Sequence, residues 1–536
     1  MVININNQII EIQEPMSLKQ LVNQYFKNQN FYGAIVDGKL CELDHVIDKN
    51  VNIEWVDSSS ETGRLIYERT LTFLFLCATK KVFKEALLRV EHTIQGGLFC
   101  RVYKNNSLTQ EDIDLIKQKM NELIKNKSVI TRVKMRKQEA IRFFNEQGLE
   151  DKAQLLQYRS KEMCSVYTME GISNYFYGFM LPDVSYIHQF DLSLYKDGVR
   201  LGKEKIQFNS PKLFEIMQSY ERWGELIKVP TIAKLNEKIM SGKANELMLM
   251  SEAMIEKNLA ELAQKIANQK NKVKLILISG PSSAGKTTFS KRLSIHLKIL
   301  GIEPINISMD DFYLNRLQTP KLPDGSYDFE NIEAIDLKLF NEVMQNLIDG
   351  KPVKLPTYNF KTGLREYNHS SITLQHNQIM IVEGIHGLNP RSSTLIENQY
   401  KVKIYINALT HLNYDFHNRI STSDYRLIRR IVRDYQFRNL NARETISHWK
   451  NVKVGEDQYI YPYQEEADYI FNTSMVYELA VLKPIAQKLL AKIQMGEKEY
   501  IEANRLNKLL NFFVDANISV PQDSILAEFV GNSIFE

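Results

Sequence analysis

The sequence predicts an α/β protein. A C-terminal parallel sheet with helices on both faces is preceded by a small β-grasp module and an α+β domain. Three observations support this. From residue 272 onward, apolar β-rich runs (VKLILIS, EPINIS, QIMIVEG, KVKIYIN) alternate with helical segments. The segments before residue 60 are short and strand-like, and those from 60 to 225 mix helical and strand patterns.

Composition predicts an ordinary globular protein, because 44% of the residues are hydrophobic and 25% are charged. The net charge of +4 gives no global field that favours nucleic acid or a membrane. The apolar runs are far shorter than the roughly 20 residues of a membrane helix, and no signal-peptide pattern is visible. The cysteines are scattered without a CxxC pair, which predicts reduced thiols and a cytoplasmic location.

The N-terminal module is predicted at residues 1–60. Its pattern indicates a hairpin that turns at Asn6 and Asn7, then a helix that begins after Ser17 as its cap. A strand that ends in a turn at Asp37 and Gly38 follows. This alternation of short strands and one helix is typical of a β-grasp arrangement.

Four further segments are predicted along the chain. An α+β domain at 61–225 includes a buried helix from about 70 to 87 and a helix capped by Ser107. A helical linker at 226–271 reads as one continuous helix from about 231 to 270. The parallel-sheet domain is predicted at 272–495, and 496–536 is predicted as a tail with a short helix and an extended segment.

The strongest local motif is GPSSAGKT, which fits G-x-x-x-x-G-K-[ST] between a buried strand and a helix. The glycines allow a tight loop, and the following helix directs its positive end toward the same point. We expect Lys286 to contact the β- and γ-phosphates of ATP and the Thr287 hydroxyl to bind Mg²⁺. The predicted nucleotide-binding residues are Gly280, Pro281, Ser282, Ser283, Ala284, Gly285, Lys286, Thr287 and Thr288.

Two carboxylates follow strands of the same predicted sheet. Asp310 comes directly after the strand that ends at Ser308, where it could orient or deprotonate an acceptor hydroxyl. Glu383 ends the strand IMIVE and is expected to reach Mg²⁺ directly or through water. No NKxD segment, which would read guanine, follows the loop. The pattern therefore favours a kinase over a GTPase switch.

A helix rich in arginine comes later in the chain. Arg426, Arg430 and Arg433 fall on one face, and Arg438 follows in a more polar segment. Guanidinium groups neutralise phosphoryl oxygens, so this segment is predicted to be a closing lid.

These motifs resemble the uridine kinase and phosphoribulokinase family. The matching segments, in the family's order across about 275–475, are GPSSAGKTT, SMDDFY, YDFENIEAID, LPTYNF, IVEGIHGL and RLIRRIVRD. The resemblance implies that Asp310 is the catalytic aspartate, and that Lys286 and the lid arginines stabilise the transferring phosphoryl group. It implies Mg²⁺ near Thr287, Asp310 and Glu383. The implied catalytic arginines are Arg433 and Arg438, and the implied substrate residues are Asp310, Tyr313, Asp328, Glu330, Tyr358, Arg426 and Arg429. Arg365 is a further candidate substrate residue, because it could belong to a basic pocket for the second phosphate of a sugar phosphate.

Two positions depart from the family's pattern. Asn359 replaces an aspartate that the family often has, and Gly363 falls where uridine–cytidine kinases carry a base-recognising histidine. A site that lacks a hydrogen-bonding group discriminates less between substrates, so pyrimidine selectivity is expected to be weaker.

The N-terminal half resembles other modules. Residues 1–60 look like a TGS domain, and 61–225 look like the second additional domain of threonyl-tRNA synthetases. The positions of that domain's metal-binding pairs align with Arg69 and Phe73 and with Phe179 and Asp183, none of which is histidine or cysteine. Neither zinc nor editing is therefore expected.

The leading interpretation is a nucleoside kinase that uses ATP and Mg²⁺ to phosphorylate the 5′-hydroxyl of uridine, cytidine or a related nucleoside. Two alternatives remain open: a kinase for another sugar or sugar phosphate, and a nucleotide-dependent RNA-binding or regulatory protein. No membrane partner is expected, and the sequence leaves RNA binding and homo-oligomerisation undecided.

Overall fold

The computed structural model describes every residue except 6, 7, 28, 95, 207, 208, 324 and 536. Its strands form a small N-terminal sheet, two antiparallel sheets in the middle of the chain and a parallel C-terminal sheet. This order confirms the predicted fold class. Within the described residues, no helix combines the length and apolar character needed to span a membrane.

The N-terminal region is a mixed five-stranded sheet with the order β2-β1-β7-β4-β5 once its elements are numbered along the chain. These are β1 (Val2–Ile5), β2 (Gln8–Glu11), β3 (Met16–Ser17), α1 (Leu18–Tyr25), β4 (Phe31–Val36), β5 (Lys39–Cys41), β6 (Val46–Ile47) and β7 (Val51–Asp57). The predicted hairpin of β1 with β2 is present, and its turn at Asn6 and Asn7 lies outside the described residues. Ser17 caps α1 as predicted, since its hydroxyl accepts a hydrogen bond from the N–H of Gln20.

The middle region combines a four-stranded sheet, β13-β14-β9-β8, with a three-stranded sheet, β10-β11-β12. Its elements are α2 (Glu61–Val82), β8 (Leu87–Ile94), β9 (Gly97–Tyr103), α3 (Gln110–Lys125), β10 (Thr131–Arg136), α4 (Lys137–Glu146), α5 (Glu150–Gln157), β11 (Met163–Met169), β12 (Ile172–Asn174), β13 (Asp191–Tyr195), β14 (Gly198–Gly202) and α6 (Pro211–Leu226). The predicted cap of α3 was wrong: Thr109, not Ser107, is the cap, because its hydroxyl accepts from the N–H of Asp112.

The predicted continuous helix from 231 to 270 is two helices, α7 (Ile232–Met240) and α8 (Ala244–Ala267). The break lies at Gly242, whose φ of 77° is in the left-handed region that ends helices. Leu235 of α7 and Leu259 of α8 belong to the same hydrophobic cluster as Phe289. This segment is therefore part of a buried core.

The C-terminal region is built on a five-stranded parallel sheet with the order β16-β19-β15-β20-β23. Its elements are β15 (Leu275–Ser279), α9 (Lys286–Ile299), β16 (Glu303–Ser308), α10 (Leu337–Ile348), β17 (Thr357–Asn359), β18 (Leu364–Glu366), β19 (Gln378–Glu383), β20 (Lys401–Asn407), β21 (Asn413–Asp415), β22 (Asn418–Arg419), α11 (Thr422–Phe437), α12 (Ala442–Tyr459), β23 (Tyr469–Asn472), α13 (Glu478–Leu490), α14 (Tyr500–Leu510) and α15 (Ala527–Val530).

Both faces of this sheet are covered. Ile276 and Ile278 of β15 belong to the cluster that holds α9 and α11, whereas Leu275 and Leu277 belong to the cluster that holds α10. Alternate residues of a strand point to opposite faces, so helices pack against both, as the sequence predicts. The segment predicted as a tail contributes Phe529 to the first cluster. The proposed domain boundaries at 60, 225, 271 and 495 stay predictions.

Candidate active site

The candidate phosphate loop runs from the end of β15 to the start of α9. All of β15 is buried, which fixes the position where the loop begins. A Cβ added at Gly280 would collide with the carbonyl oxygen of Ile406, so only glycine fits there. Ser283 and Gly285 have φ values of 60° and 85°, in the left-handed region. Such turns create concave sites for anions, and the helix that follows adds its positive end.

Lys286, the first residue of α9, lies over this loop. Its Nζ donates hydrogen bonds to the carbonyl oxygens of Gly280 (2.9 Å) and Pro281 (3.3 Å). Burial lowers the pKa of Lys286, and the negative charges of Glu383 and Asp310 oppose that shift. The ammonium group is thus close to both predicted carboxylates.

The sheet register brings these carboxylates together. Glu383 is the residue paired with Ser308 of β16 and with Ile278 of β15, so the three strands end at one level. Asp310 follows in the 3₁₀ turn Met309–Phe312, and its N–H donates to the Ser308 hydroxyl (3.3 Å). Asp310 and Glu383 therefore meet at the carboxyl edge of the sheet, where open α/β sheets bind ligands.

Two carboxylates of the site, Glu383 and Asp310, have raised pKa values. Burial raises the pKa of Glu383 to about 7, and the nearby Asp310 charge adds to the rise while Lys286 opposes it. Burial also raises the pKa of Asp310, again opposed by Lys286. Two buried acids beside one another repel when both are ionised, and a bound cation would relieve that repulsion.

The residues present fit a magnesium ion. The Thr287 hydroxyl donates to Glu383 (3.3 Å), so the hydroxyl and two carboxylates form a set of oxygen donors. Mg²⁺ prefers oxygen ligands and is often held by one or two carboxylates together with substrate phosphates. Within the described part of the chain, no group of three or more His, Cys, Asp or Glu side chains could form a metal site by itself. A site that needs phosphate oxygens is consistent with this.

An aromatic wall lies beside Asp310. The Tyr313 hydroxyl donates to the carbonyl of Phe329 (2.9 Å), and the Tyr313 and Tyr358 rings are 5.6 Å apart. The Tyr358 hydroxyl is buried and has no hydrogen-bond partner among the described residues. A buried hydroxyl without a partner is costly, so this group is a candidate contact for a polar ligand.

The two predicted acids for the acceptor differ in their surroundings. Burial raises the pKa of Glu330 to about 7, and the positive charge of Arg430 opposes the shift. Asp328 accepts hydrogen bonds from the N–H of Glu330 (3.2 Å) and from the side chain of Asn331 (3.4 Å). Asp328 therefore holds the turn that positions Glu330, and Glu330 is the acid near Arg430 of α11.

Arg426 and Arg429 lie behind the phosphate loop and are fully buried. Arg426 forms a two-pronged ion pair with Glu456 (2.5 and 2.6 Å) and donates to the carbonyl of Ser282 (2.9 Å). Arg429 pairs with Glu478 and donates to the carbonyl of Ser283 (3.2 Å). Both arginines support the loop, and the substrate contact that the sequence predicts for them stays a prediction.

Arg365 also forms its hydrogen bonds and ion pair with other residues of this chain. It bonds Asp336 (3.1 Å) and the carbonyl oxygens of Tyr313 (2.9 Å) and Phe312 (3.3 Å). It thus braces the turn that carries Asp310. The predicted contact of Arg365 with substrate likewise stays a prediction.

The other arginines of α11 face the candidate site around Asp434, which is fully buried. Arg430 donates to the hydroxyl of Ser282 (2.9 Å), and Arg433 bonds Asp434 (3.1 Å). Partial desolvation lowers the pKa of Arg438 to about 10, although the side chain is exposed; the nearby Arg433 charge adds to this shift and Asp310 opposes it. The predicted catalytic arginines, Arg433 and Arg438, therefore lie within electrostatic range of Lys286 and Asp310 respectively.

Sequence reasoning missed two carboxylates that contact the loop. Glu456 accepts a hydrogen bond from the N–H of Ser282 (3.0 Å), and Glu528 accepts from the hydroxyl of Thr288 (2.8 Å). Glu456 is in α12 and Glu528 is in α15, both far along the chain from the loop. No local motif marks either residue, so only the tertiary structure could find them.

The two departures from the family's pattern belong to one tight turn between β17 and β18. The carbonyl of Asn359 accepts from the N–H of Gly363 (2.7 Å), and its side chain donates to Glu366 (2.9 Å). Gly363 has φ +73°, and a Cβ there would lie 2.7 Å from the Cβ of Arg316. A histidine would be strained at 363, and the expected weaker pyrimidine selectivity stays a prediction.

The four positions aligned with the lost metal pairs do not form one cluster. Arg69 donates to the carbonyl of Phe179 (2.9 Å), so these two are in contact. Phe73 is buried in the core of the middle region, and Asp183 forms an ion pair with Lys19 (3.1 Å). The expectation that no zinc binds stays a prediction.

Residues 275–480 match the sequence model of the "Phosphoribulokinase / Uridine kinase family". Curated relatives include the uridine kinase of Ureaplasma parvum, with 26% identity over 36% of this chain and 85% of the relative. Another is uridine-cytidine kinase B of Dictyostelium discoideum, with 28% identity over 44% of this chain and 88% of the relative. The resemblance of the C-terminal region to this kinase family is thereby confirmed.

The N-terminal region has different relatives. The threonine–tRNA ligase of Clostridium kluyveri is 32% identical over 23% of this chain and 20% of the ligase. The chain therefore spans about a fifth of the length of this ligase. This similarity confirms that the N-terminal half resembles threonyl-tRNA synthetases. It does not assign the ligase activity to this chain.

Proposed function

We propose that the chain is an ATP-dependent nucleoside kinase that phosphorylates the 5′-hydroxyl of uridine, cytidine or a related nucleoside. One observation carries the proposal: Asp310, directly after β16, and Glu383, at the end of the adjacent parallel strand β19, both lie near Lys286 beside the phosphate loop. The match to the phosphoribulokinase and uridine kinase family supports phosphoryl transfer to an alcohol. The similarity to uridine and uridine–cytidine kinases supports a nucleoside as the acceptor.

In the proposed reaction, Asp310 orients the acceptor hydroxyl and takes its proton. The hydroxyl oxygen forms a bond to the γ-phosphorus of ATP, and the bond from that phosphorus to the β–γ bridging oxygen breaks, which releases ADP. Burial raises the pKa of Asp310, so it is a stronger base than an exposed aspartate.

The charge of the transferring group is neutralised by Lys286 on one side and by Arg433 and Arg438 on the other. When bound, Mg²⁺ supplies further charge stabilisation for the phosphate oxygens, and Thr287, Asp310 and Glu383 would hold it. Tyr358 and Glu330 are proposed to contact the nucleoside, because one is an unpartnered buried hydroxyl and the other is a buried acid.

The test is a panel of ribonucleosides, deoxyribonucleosides, sugars and sugar phosphates, each incubated with the full chain, ATP and Mg²⁺. ADP release and product mass are measured, with Lys286→Ala as the inactive control and Lys298→Ala, at the exposed end of the same helix, as the matched control. We expect uridine or cytidine monophosphate as the fastest product. Faster turnover of a sugar or sugar phosphate would replace the nucleoside by the alternative acceptor, and turnover of none would favour the regulatory alternative.

A further inference from the structure

A second cavity, of about 640 Å³, lies between the middle region, β21–β22 and helix α14. Its volume is within the range of about 300–1,000 Å³ that small-molecule sites occupy. No residue of the phosphate loop is among its lining residues. The cavity is therefore separate from the candidate active site.

Positive charge dominates the lining. Its two carboxylates, Glu68 and Asp424, already form ion pairs with Arg64 (3.0 Å) and Arg505 (2.6 Å). In contrast, four other cations that line the cavity form no ion pair with any carboxylate among the described residues. They are Arg69, Arg159, Lys161 and Lys508. The cavity thus has unused capacity for an anion.

Arg69 is one of these cations. Its Nε donates to the carbonyl of Phe179 (2.9 Å), and the negative charge of Glu68 lies within electrostatic range of the guanidinium. Burial lowers the pKa of Arg69 to about 10. Glu68 is already paired with Arg64 (3.0 Å), so a bound anion would add compensation that Arg69 lacks.

Three more cations stand at one end of the cavity. Arg159 donates to the hydroxyl of Tyr175 (3.2 Å) and to the carbonyl of Met163 (2.9 Å), so its orientation is fixed. Partial desolvation and the nearby positive charges of Lys161 and Arg159 lower the pKa of Lys508. Like charges held this close repel one another, which again favours an anion between them.

The remaining walls are aromatic. Tyr175, Phe176, Tyr177 and Phe179 all line the cavity. Tyr177 is held in place because its ring stacks on Tyr414 at 4.7 Å and its hydroxyl donates to the carbonyl of Arg505 (2.6 Å). Fixed aromatic side chains bind flat heterocycles by stacking.

We propose that this cavity binds a nucleoside phosphate, with the base against the aromatic wall and the phosphate near Arg159, Lys161 and Lys508. Guanidinium and ammonium groups together recognise phosphate oxygens. An apolar ligand would leave these cations without a counter-charge. A simple inorganic anion would leave the aromatic wall without a contact.

The test counts binding sites for UMP on the full chain by equilibrium dialysis at low salt. Lys161 and Lys508 have exposed side chains, so the double variant K161E/K508E is expected to fold. We expect it to lose one UMP site per chain, or to weaken that site at least about tenfold. The matched control K49E/K134E reverses two exposed lysines outside the cavity and should keep the wild-type number.

The test compares the number of UMP sites on the wild type with the number on K161E/K508E. A UMP site in the kinase region would be present in both proteins and would not change the difference. An unchanged site number with affinities within twofold in K161E/K508E would overturn it. So would displacement of UMP from this site by an equal concentration of inorganic phosphate, because the base would then contribute nothing. Loss of tRNA binding with unchanged UMP binding in K161E/K508E would overturn it in favour of an RNA site.

Discussion

The Glu528 carboxylate accepts hydrogen bonds from the hydroxyl (2.8 Å) and from the backbone N–H (3.3 Å) of Thr288 in the first turn of α9. The C-terminal segment thus places a negative charge at the positive end of the helix that follows the phosphate loop. Phe529, its neighbour, packs below the Arg429 guanidinium at 4.7 Å. The packing of Phe529 therefore holds the C-terminal segment in place next to the Glu528 contact.

This contact predicts competition between Glu528 and nucleotide phosphate. Glu528→Gln removes the charge and should tighten the binding of a non-hydrolysable ATP analogue by about two- to fivefold, measured by calorimetry. Asp523→Asn makes the same charge change at an exposed position of the same segment and is the control. Weaker binding in Glu528→Gln would mean that the carboxylate supports the nucleotide site.

Asp310→Asn is expected to keep the affinity for ATP while it lowers kcat by about 10² or more, because the amide cannot accept the proton of the acceptor. The neighbouring Asp311 offers a matched control. Its carboxylate accepts from the N–H of Tyr358 (3.1 Å), so Asp311→Asn should affect KM for the acceptor more than kcat. An Asp310→Asn enzyme with the wild-type rate would eliminate Asp310 as the base.

The buried pair of Arg426 and Glu456 is predicted to stabilise both the fold and the loop. Glu456→Gln leaves the guanidinium without its counter-charge and should lower the free energy of unfolding by about 3–5 kcal/mol in urea denaturation. The double variant Arg426→Met/Glu456→Gln should recover part of this loss. Equal losses in the single and double variants would show that the pairing contributes little.

The pH dependence of stability should report on buried histidines. Burial lowers the pKa of His411 to about 4, so the unfolded chain, with its higher histidine pKa of about 6.5, takes up the proton first. The contribution of His411 is therefore complete above pH 6.5 and is lost as the pH falls toward 4. At pH 5 the loss is about 2 kcal/mol for such a group.

Urea denaturation at pH 7.5 and pH 5 measures this effect. His411→Gln should lose less stability between the two pH values than the wild type, whatever its stability at pH 7.5. His376→Gln, at an exposed position, should behave like the wild type. An identical pH dependence in His411→Gln would show that His411 does not contribute to it.

The phosphate loop and the parallel sheet could be predicted because their information is local. The glycines, Lys286 and Thr287 are consecutive, and the buried strand before them is read from one apolar run. The placement of Asp310 and Glu383 could also be predicted, since residues that follow parallel strands meet at one edge of the sheet. The break between α7 and α8 was missed because a single glycine is weak evidence against a strong helical pattern.

The sequence alone determined the kind of chemistry at the C-terminal site, because consecutive residues and strand ends define the loop and its acids. Only the tertiary structure decided which charges are free to act there. Glu456 and Glu528 contact the loop across 174 and 240 residues, and Glu456 and Glu478 take up Arg426 and Arg429. Such pairings depend on how distant helices pack, and no local pattern encodes that packing.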